Sequence, residues 1–323
     1  GDRSMAGFRW VGNDNIVITV ISRENLGGNL ADFRRLVSYN IAGGKLVQLA
    51  WRGAGGDAGT ILHVDHDKGQ ILLQRDAVTD TTERWGYPEV VRVDVTTGDF
   101  TMVQRTNPIV RGWAADADGV VRMGFNRNRD DGKFRILYRS NEKEQFRTVF
   151  LDADKTFTAG PPLPELFIPG TDTAYAVSRH EGFSKVYKLD MTTMKLSEPL
   201  FETPGFDVQG VIADATGKRM LGYETFDGEM RNQFTDPHLK EVQGMLDEVF
   251  GPNEATIVSA DLKYERIVVY AGGRSSGGGF YLYDTKGGSL QLLNWSKTSI
   301  KNAPLHPVKA EWFTASDGVK MQA

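Results

Sequence analysis

Residues 90–104 read VVRVDVTTGDFTMVQ. An apolar strand runs into Asp94, a Thr-Thr-Gly turn follows, and a second alternating strand leaves it, which is a β-hairpin with its turn chemistry in place. The same pattern returns at 36–50 (LVSYNIAGGKLVQLA), 186–200 (VYKLDMTTMKLSEPL) and 280–294 (FYLYDTKGGSLQLLN), with a degenerate copy at 136–150 (ILYRSNEKEQFRTVF). Measured between the turn-opening residues Asn40, Asp94, Asn141, Asp190 and Asp284, the spacing is about 50 residues, with one interval about twice that, the period of a four-stranded propeller blade.

A second hairpin type alternates with the first. It is seen in FRWVGNDNIVITVIS, ILHVDHDKGQILLQRD, VRGWAADADGVVRMGFN, ELFIPGTDTAYAVSR, VQGVIADATGKRMLGYE and ATIVSADLKYERIVVYA. A twisted four-stranded sheet cannot bury both faces alone, so stacking such units radially covers each sheet with its neighbour. Two β-sandwiches would not explain two hairpin types alternating at one period. The expected fold is therefore all-β: a β-propeller of about seven four-stranded blades, the first counted as incomplete.

One unit breaks the pattern. In TDPHLKEVQGMLDEVFGPNEA, Asp236 can cap a helix and Pro237 fits its first position. Leu239, Val242, Leu246, Val249 and Phe250 recur at helical spacing before Gly251-Pro252. One amphipathic helix is expected within the propeller.

Composition limits the possible functions. Thirty-six glycines against twelve prolines and ten per cent aromatic residues favour short strands and turns, while a net charge of -4 argues against a nucleic-acid partner. No apolar run approaches the roughly 18 to 20 residues of a membrane helix, so no membrane partner is expected. The absence of cysteine excludes disulfides and zinc-thiolate sites and leaves cytoplasm and periplasm equally open.

Gly273-Arg274-Ser275-Ser276-Gly277 satisfies the G-x-S-x-G pattern of a serine-hydrolase elbow. That motif needs a strand before it and a helix after it. Here three glycines and a β-patterned segment follow, so Ser275 reads as a hairpin residue and no catalytic residue is assigned. His63, His66, His180, His238 and His306 form no metal-binding pattern, and Asp116-Ala117-Asp118-Gly119 lacks the remaining ligands of a calcium loop and reads as a turn. No metal and no cofactor are expected.

The helix segment LKEVQGMLDEVFGP, then ATIVSADLKYERIVVYAGGRSSGGGFYLYD, then HPVKAEWFTASDGVKMQA resembles the end of the propeller and the start of the catalytic domain in bacterial prolyl oligopeptidase-family serine peptidases, the group that contains acylaminoacyl- and dipeptidyl-peptidases. The resemblance implies a propeller over 1–307, and a linker and first hairpin of an α/β-hydrolase domain over 308–323. It implies the hydrolase domain and a short peptide substrate as partners, and a propeller that gates the active site by size. In this family the catalytic Ser, Asp and His lie in the hydrolase domain, so the chain alone is expected to be inactive. No Glu-Glu dipeptide occurs to match the pair with which dipeptidyl peptidases hold a substrate amino terminus.

Substrate contacts are expected on four long loops, 76–89, 126–134, 178–185 and 224–232, which join the second and third strands of their blades. The candidates are Glu83, Arg84, Arg127, Arg129, Arg179 and Glu181. Arg127, Arg129 and Arg179 are suited to a peptide carboxylate, and Glu83 or Glu181 to an amino terminus, through charge-assisted bonds. The competing reading of the chain is a free-standing propeller that serves as a protein-binding scaffold.

Overall fold

The computed structural model describes residues 3–26, 28–78, 87–127, 133–152, 160–179, 182–272, 277–301, 303, 305–306 and 311–322. Among them the chain forms consecutive antiparallel sheets, each strand pairing with the next in sequence. The first sheet holds β1 (Arg3–Val11), β2 (Asn15–Leu26), β3 (Asn29–Asn40) and β4 (Leu46–Leu49), and the second β5 (Thr60–Asp65), β6 (Gln70–Asp76), β7 (Pro88–Asp94) and β8 (Phe100–Gln104). The third contains β9 (Gly112–Ala115), β10 (Val121–Arg127), β11 (Phe134–Tyr138) and β12 (Arg147–Asp152), and the fourth β13 (Leu166–Phe167), β14 (Thr173–Ser178), β15 (Lys185–Asp190) and β16 (Lys195–Leu196). The fifth has three strands, β17 (Val208–Ala213), β18 (Met220–Phe226) and β19 (Met230–Phe234), followed by the helix α1 (Pro237–Phe250). The sixth comprises β20 (Ala255–Ala260), β21 (Arg266–Ala271), β22 (Gly279–Asp284) and β23 (Ser289–Trp295), and a two-stranded hairpin, β24 (Trp312–Thr314) and β25 (Lys320–Gln322), comes last.

This is a β-propeller of six blades among the described residues, which corrects the expectation of about seven with an incomplete first blade. The first sheet has all four strands, because Arg3–Val11 pairs along its length with β2. The incomplete blade is the fifth, where α1 follows the third strand. Asp236 caps that helix by accepting from the Leu239 amide, Pro237 occupies its first turn, and Leu239, Val242 and Leu246 are its buried stripe.

The turns explain why these strands form where they do. Asn40, Asp94, Asn141, Asp190 and Asp284 each turn their side-chain oxygen onto main-chain amides two or three residues ahead. This is the Asx turn that reverses the chain between the third and fourth strands. Asp116 does the same between β9 and β10, accepting from Asp118 and Val120, so the acidic loop there is a turn.

The chain divides into two compact units, residues 1–161 with 167–172 and 190–195, and residues 162–166 with 173–189 and 196–323. In the first unit, Ile71, Leu73, Val91 and Val93 pack with Val11, Val17 and Leu36 of the first sheet, while Leu72 and Val90 pack with Trp113, Val121 and Leu137 of the third. The second sheet is thus buried on both faces, which is why β6 reads as an unbroken apolar run, Ile71-Leu72-Leu73, instead of alternating. In the second unit the stripe of α1 packs with Leu221, Phe234, Ile267, Val269 and Tyr283, so the helix supplies the apolar cover that a fourth strand would otherwise provide.

Candidate functional site

The four long loops do join second strands to third strands: β6 to β7, β10 to β11, β14 to β15 and β18 to β19. Glu83, Arg84, Arg129 and Glu181 lie outside the described residues. Arg127 ends β10, paired in register with Phe134.

Arg179 follows the end of β14, and its guanidinium meets the Asp207 carboxylate. The other Asp207 oxygen accepts from the Ser184 amide at 2.6 Å. Asp207 therefore clasps both ends of the 178–185 loop. The Ser184 amide, together with Arg179, holds its carboxyl below the usual carboxylate range. Arg179 stays 68% exposed, so its charge is presented to solvent from a braced position. The 224–232 loop is braced internally: Arg231 Nε reaches both Asp227 oxygens at 2.8 Å, and its guanidinium lies 3.5 Å from Glu229.

Glu165 and Glu224 were not singled out in the sequence. Glu165 sits just before β13 and accepts from the Val211 amide at 2.8 Å, and a side chain built on Gly210 would touch both carboxylates at 3.6 Å. Burial pushes the Glu165 carboxyl up, with the Glu224 charge adding to the rise. The two acids lie nearly 60 residues apart in the chain, and no local pattern announces the pair.

Two buried arginines are equally invisible to motif reading. Arg75 is 5% exposed, donates to Glu89 at 2.9 Å and to the Ala50 and Arg52 carbonyls at 2.7 and 2.8 Å, and lies 4.4 Å from the Phe100 ring centre. Arg122 donates to Asp116, Asp172 and the Arg139 and Thr171 carbonyls, and contacts the Tyr138 hydroxyl. That hydroxyl donates to Asp172 at 2.7 Å, and burial with this bond drives its pKa upward. Both guanidiniums have all three nitrogens engaged internally, so they hold the blades together and present no charge to a ligand. A signal did exist for the first: Arg75 and Glu89 are cross-strand partners that extend the stripes Ile71, Leu73 and Val91, Val93.

Ser275 lies outside the described residues, but its frame is clear. The segment joins β21 to β22, with Ala271 paired to Gly279, and a strand follows it where a nucleophile elbow requires a helix. His63 is half-buried, and burial lowers its pKa. Among the described residues no three His, Asp or Glu side chains come together to hold a metal, and no helix is long and apolar enough to cross a membrane.

Among the described residues the fold thus defines a six-bladed propeller in which loops joining the second and third strands of a blade carry braced charges, with an additional hairpin after the last blade. The proteins it is similar to include peptidases named as a dipeptidyl aminopeptidase, an acylaminoacyl peptidase and a prolyl endopeptidase, and the chain matches only part of each. Dipeptidyl aminopeptidase BIII of Pseudoxanthomonas mexicana is 25% identical over 244 residues, which are 74% of this chain and 33% of that protein. One of two structurally characterised prolyl endopeptidases matches 99% of the chain with a TM-score of 0.57 at 12% identity, and the chain covers 46% of it. A puromycin-hydrolysing peptidase of Mycobacterium tuberculosis matches 98% with a TM-score of 0.53 at 12% identity, and 57% of it is covered. The chain spans about a third of the curated relative and about half of these structures. No protein-family profile matches it.

Proposed function

We propose that this chain is the substrate-gating propeller of a serine peptidase that hydrolyses short peptides, with residues 1–307 forming the propeller and 308–323 leading into an α/β-hydrolase domain that carries the catalytic triad. One observation carries the reading. The β24–β25 hairpin forms a sheet of its own beside the six blade sheets and leaves Trp312, Phe313, Val319 and Met321 exposed, apolar side chains suited to cover by a following domain. The names of the relatives, and the share of their length that this chain spans, support it.

In this reading the propeller restricts access to the catalytic centre, so discrimination is by size and by loop contacts. Arg127, Arg129 and Arg179 would receive a peptide carboxylate, and Glu83, Arg84 and Glu181 would line the same route, Glu83 or Glu181 meeting an amino terminus. The braced Arg179 is the best prepared of these, because little side-chain freedom is lost when it engages a ligand.

The test compares this chain with the complete product of its gene. The complete product is expected to react with a fluorophosphonate probe and to cleave peptides at rates that fall steeply with length, while the chain alone stays unlabelled. A complete product that is unlabelled and hydrolyses no peptide would overturn the proposal and leave a binding scaffold.

A further inference from the structure

The first blade carries a cavity of about 310 Å³, at the lower end of the range typical of small-molecule pockets. Its strands β2 and β3 are each 12 residues long and pair without interruption from Asn15–Asn40 to Leu26–Asn29. Because side chains alternate across a strand, one face of this ribbon presents Val20, Ser22 and Glu24 from β2 beside Phe33 and Arg35 from β3. Arg3, the register partner of Ser22 on β1, and Trp51 complete the lining. On the opposite face Arg23 and Asp32 close a two-bond ion pair, so that face is satisfied by itself.

The chemistry of the lining is specific. Arg35 is held rigidly by main-chain carbonyls: its guanidinium donates to Arg34 at 2.7 Å, Gly56 at 3.0 Å and Gly55 at 2.7 Å. Trp51 is likewise fixed, its indole N–H donating to the Leu36 carbonyl at 2.7 Å. The guanidiniums of the buried Arg75 and Arg122 and of the half-buried Arg231 each meet a carboxylate, but Arg35 has none within ion-pair distance among the described residues, and neither has Arg3. Burial pulls the Arg35 pKa down, and the Glu24, Asp57 and Asp76 charges oppose that fall from beyond ion-pair distance, so an anion brought beside the guanidinium would make its first direct ion pair among the described residues. Glu24, at the exposed edge, accepts from Ser22 and leaves the lining with one net positive charge.

We infer that this cavity binds a carboxylate carried beside an apolar or aromatic side chain, the chemistry shared by a peptide carboxyl terminus and a small aromatic acid. The carboxylate meets Arg35 and Arg3, and the apolar group packs against Val20, Phe33 and Trp51. A pre-positioned guanidinium next to a fixed indole offers a charge-assisted bond and a stacking surface at little ordering cost.

The experiment is calorimetric titration of the full chain with N-acetyl-phenylalanine, its carboxamide, and acetyl-Ala-Ala-Phe as the free acid. The free acids are expected to saturate one site, the carboxamide to bind at least about tenfold more weakly, and the variants Arg3→Gln and Val20→Glu to weaken the acids by a similar factor at unchanged melting temperature. Tighter binding of the tripeptide identifies a peptide end as the ligand, and tighter binding of the single residue identifies a small acid. The inference is overturned if acid and amide bind alike, if no acid saturates, or if both variants bind as the parent does.

Discussion

Met194 occupies a position that three of the other hairpins between third and fourth strands give to glycine. Gly44, Gly98 and Gly288 stand four residues after Asn40, Asp94 and Asp284 with φ of 65°, 81° and 62°, and Met194 stands four after Asp190 with φ of 57°. An L side chain pays roughly 1–2 kcal/mol in that conformation, so Met194→Gly is expected to be neutral or to stabilise by up to about 1 kcal/mol. Gly44→Ala, with open space around the added carbon, is expected to cost about 1 kcal/mol. Gly98→Ala adds a carbon 2.5 Å from the Gln48 carbonyl oxygen and is expected to cost about 2–4 kcal/mol. Denaturant midpoints of the three variants rank these costs, and a Gly98→Ala midpoint equal to that of Gly44→Ala would contradict the packing of that turn.

The turn carboxylates give the residue scale its pH dependence. The Thr96 and Thr192 hydroxyls, with neighbouring amides, hold Asp94 and Asp190 below the ordinary value of 3.8. Their folded pKa values are depressed, so their contribution is fully present above 3.8 and is lost as the pH falls through the lower folded values. Asparagine makes the same turn at 40 and 141 without titrating. Asp94→Asn with Asp190→Asn is therefore expected to keep the hairpins and to flatten the loss of melting temperature between pH 5 and pH 2, about the span over which such carboxylates protonate. An unchanged acid profile would show that these turns do not couple to folding.

Among the elements, α1 is the one whose loss would be felt furthest. Its stripe packs on the fifth and sixth sheets through Phe234, Ile267 and Val269, and its start depends on one cap. Leu246→Ala is expected to cost about 2–5 kcal/mol by opening a cavity under the helix. Asp236→Ala should cost about 1 kcal/mol by freeing the Leu239 amide. Val249 is 66% exposed, and truncating it should change the midpoint by no more than about 0.5 kcal/mol. If Leu246→Ala proved as mild as Val249→Ala in denaturant titrations, the helix would not be the cover of the fifth blade.

At the scale of the whole molecule, every sheet is built from one contiguous run of chain, so folding each blade requires only local pairing. The β24–β25 hairpin adds little to this set. Among the described residues its ring contact to the rest of the chain joins Trp312 to Phe206 at 5.9 Å, worth about 0.5–1.5 kcal/mol. Deleting residues 311–323 is expected to leave the circular dichroism of the sheets intact and to lower binding of a hydrophobic dye, because four exposed apolar side chains leave with it. Loss of the β-signal on deletion would mean that the hairpin is part of the propeller core.

Much of this architecture was legible because it is local. Asn40, Asp94, Asn141, Asp190 and Asp284 could be read as turn openers from their neighbours alone, and Asp236-Pro237 with Leu239, Val242 and Leu246 marked the helix within a 15-residue window. The six hairpins of the second type match the six blade sheets among the described residues, while the expectation of about seven blades with an incomplete first one fails because only the pairing of Arg3–Val11 with β2 shows that the first sheet is whole. Of the candidate site, the sequence could place Arg179 on a loop but could not foresee Asp207, 28 residues on, which clasps it. The same holds for Arg122 with Asp172, for Glu165 with Glu224, and for the cavity between Arg35 and Trp51. Turn and helix signals act between residues a few positions apart and are written in the chain. Which charges are buried, paired or left facing a cavity depends on neighbours that only the packed blades bring together.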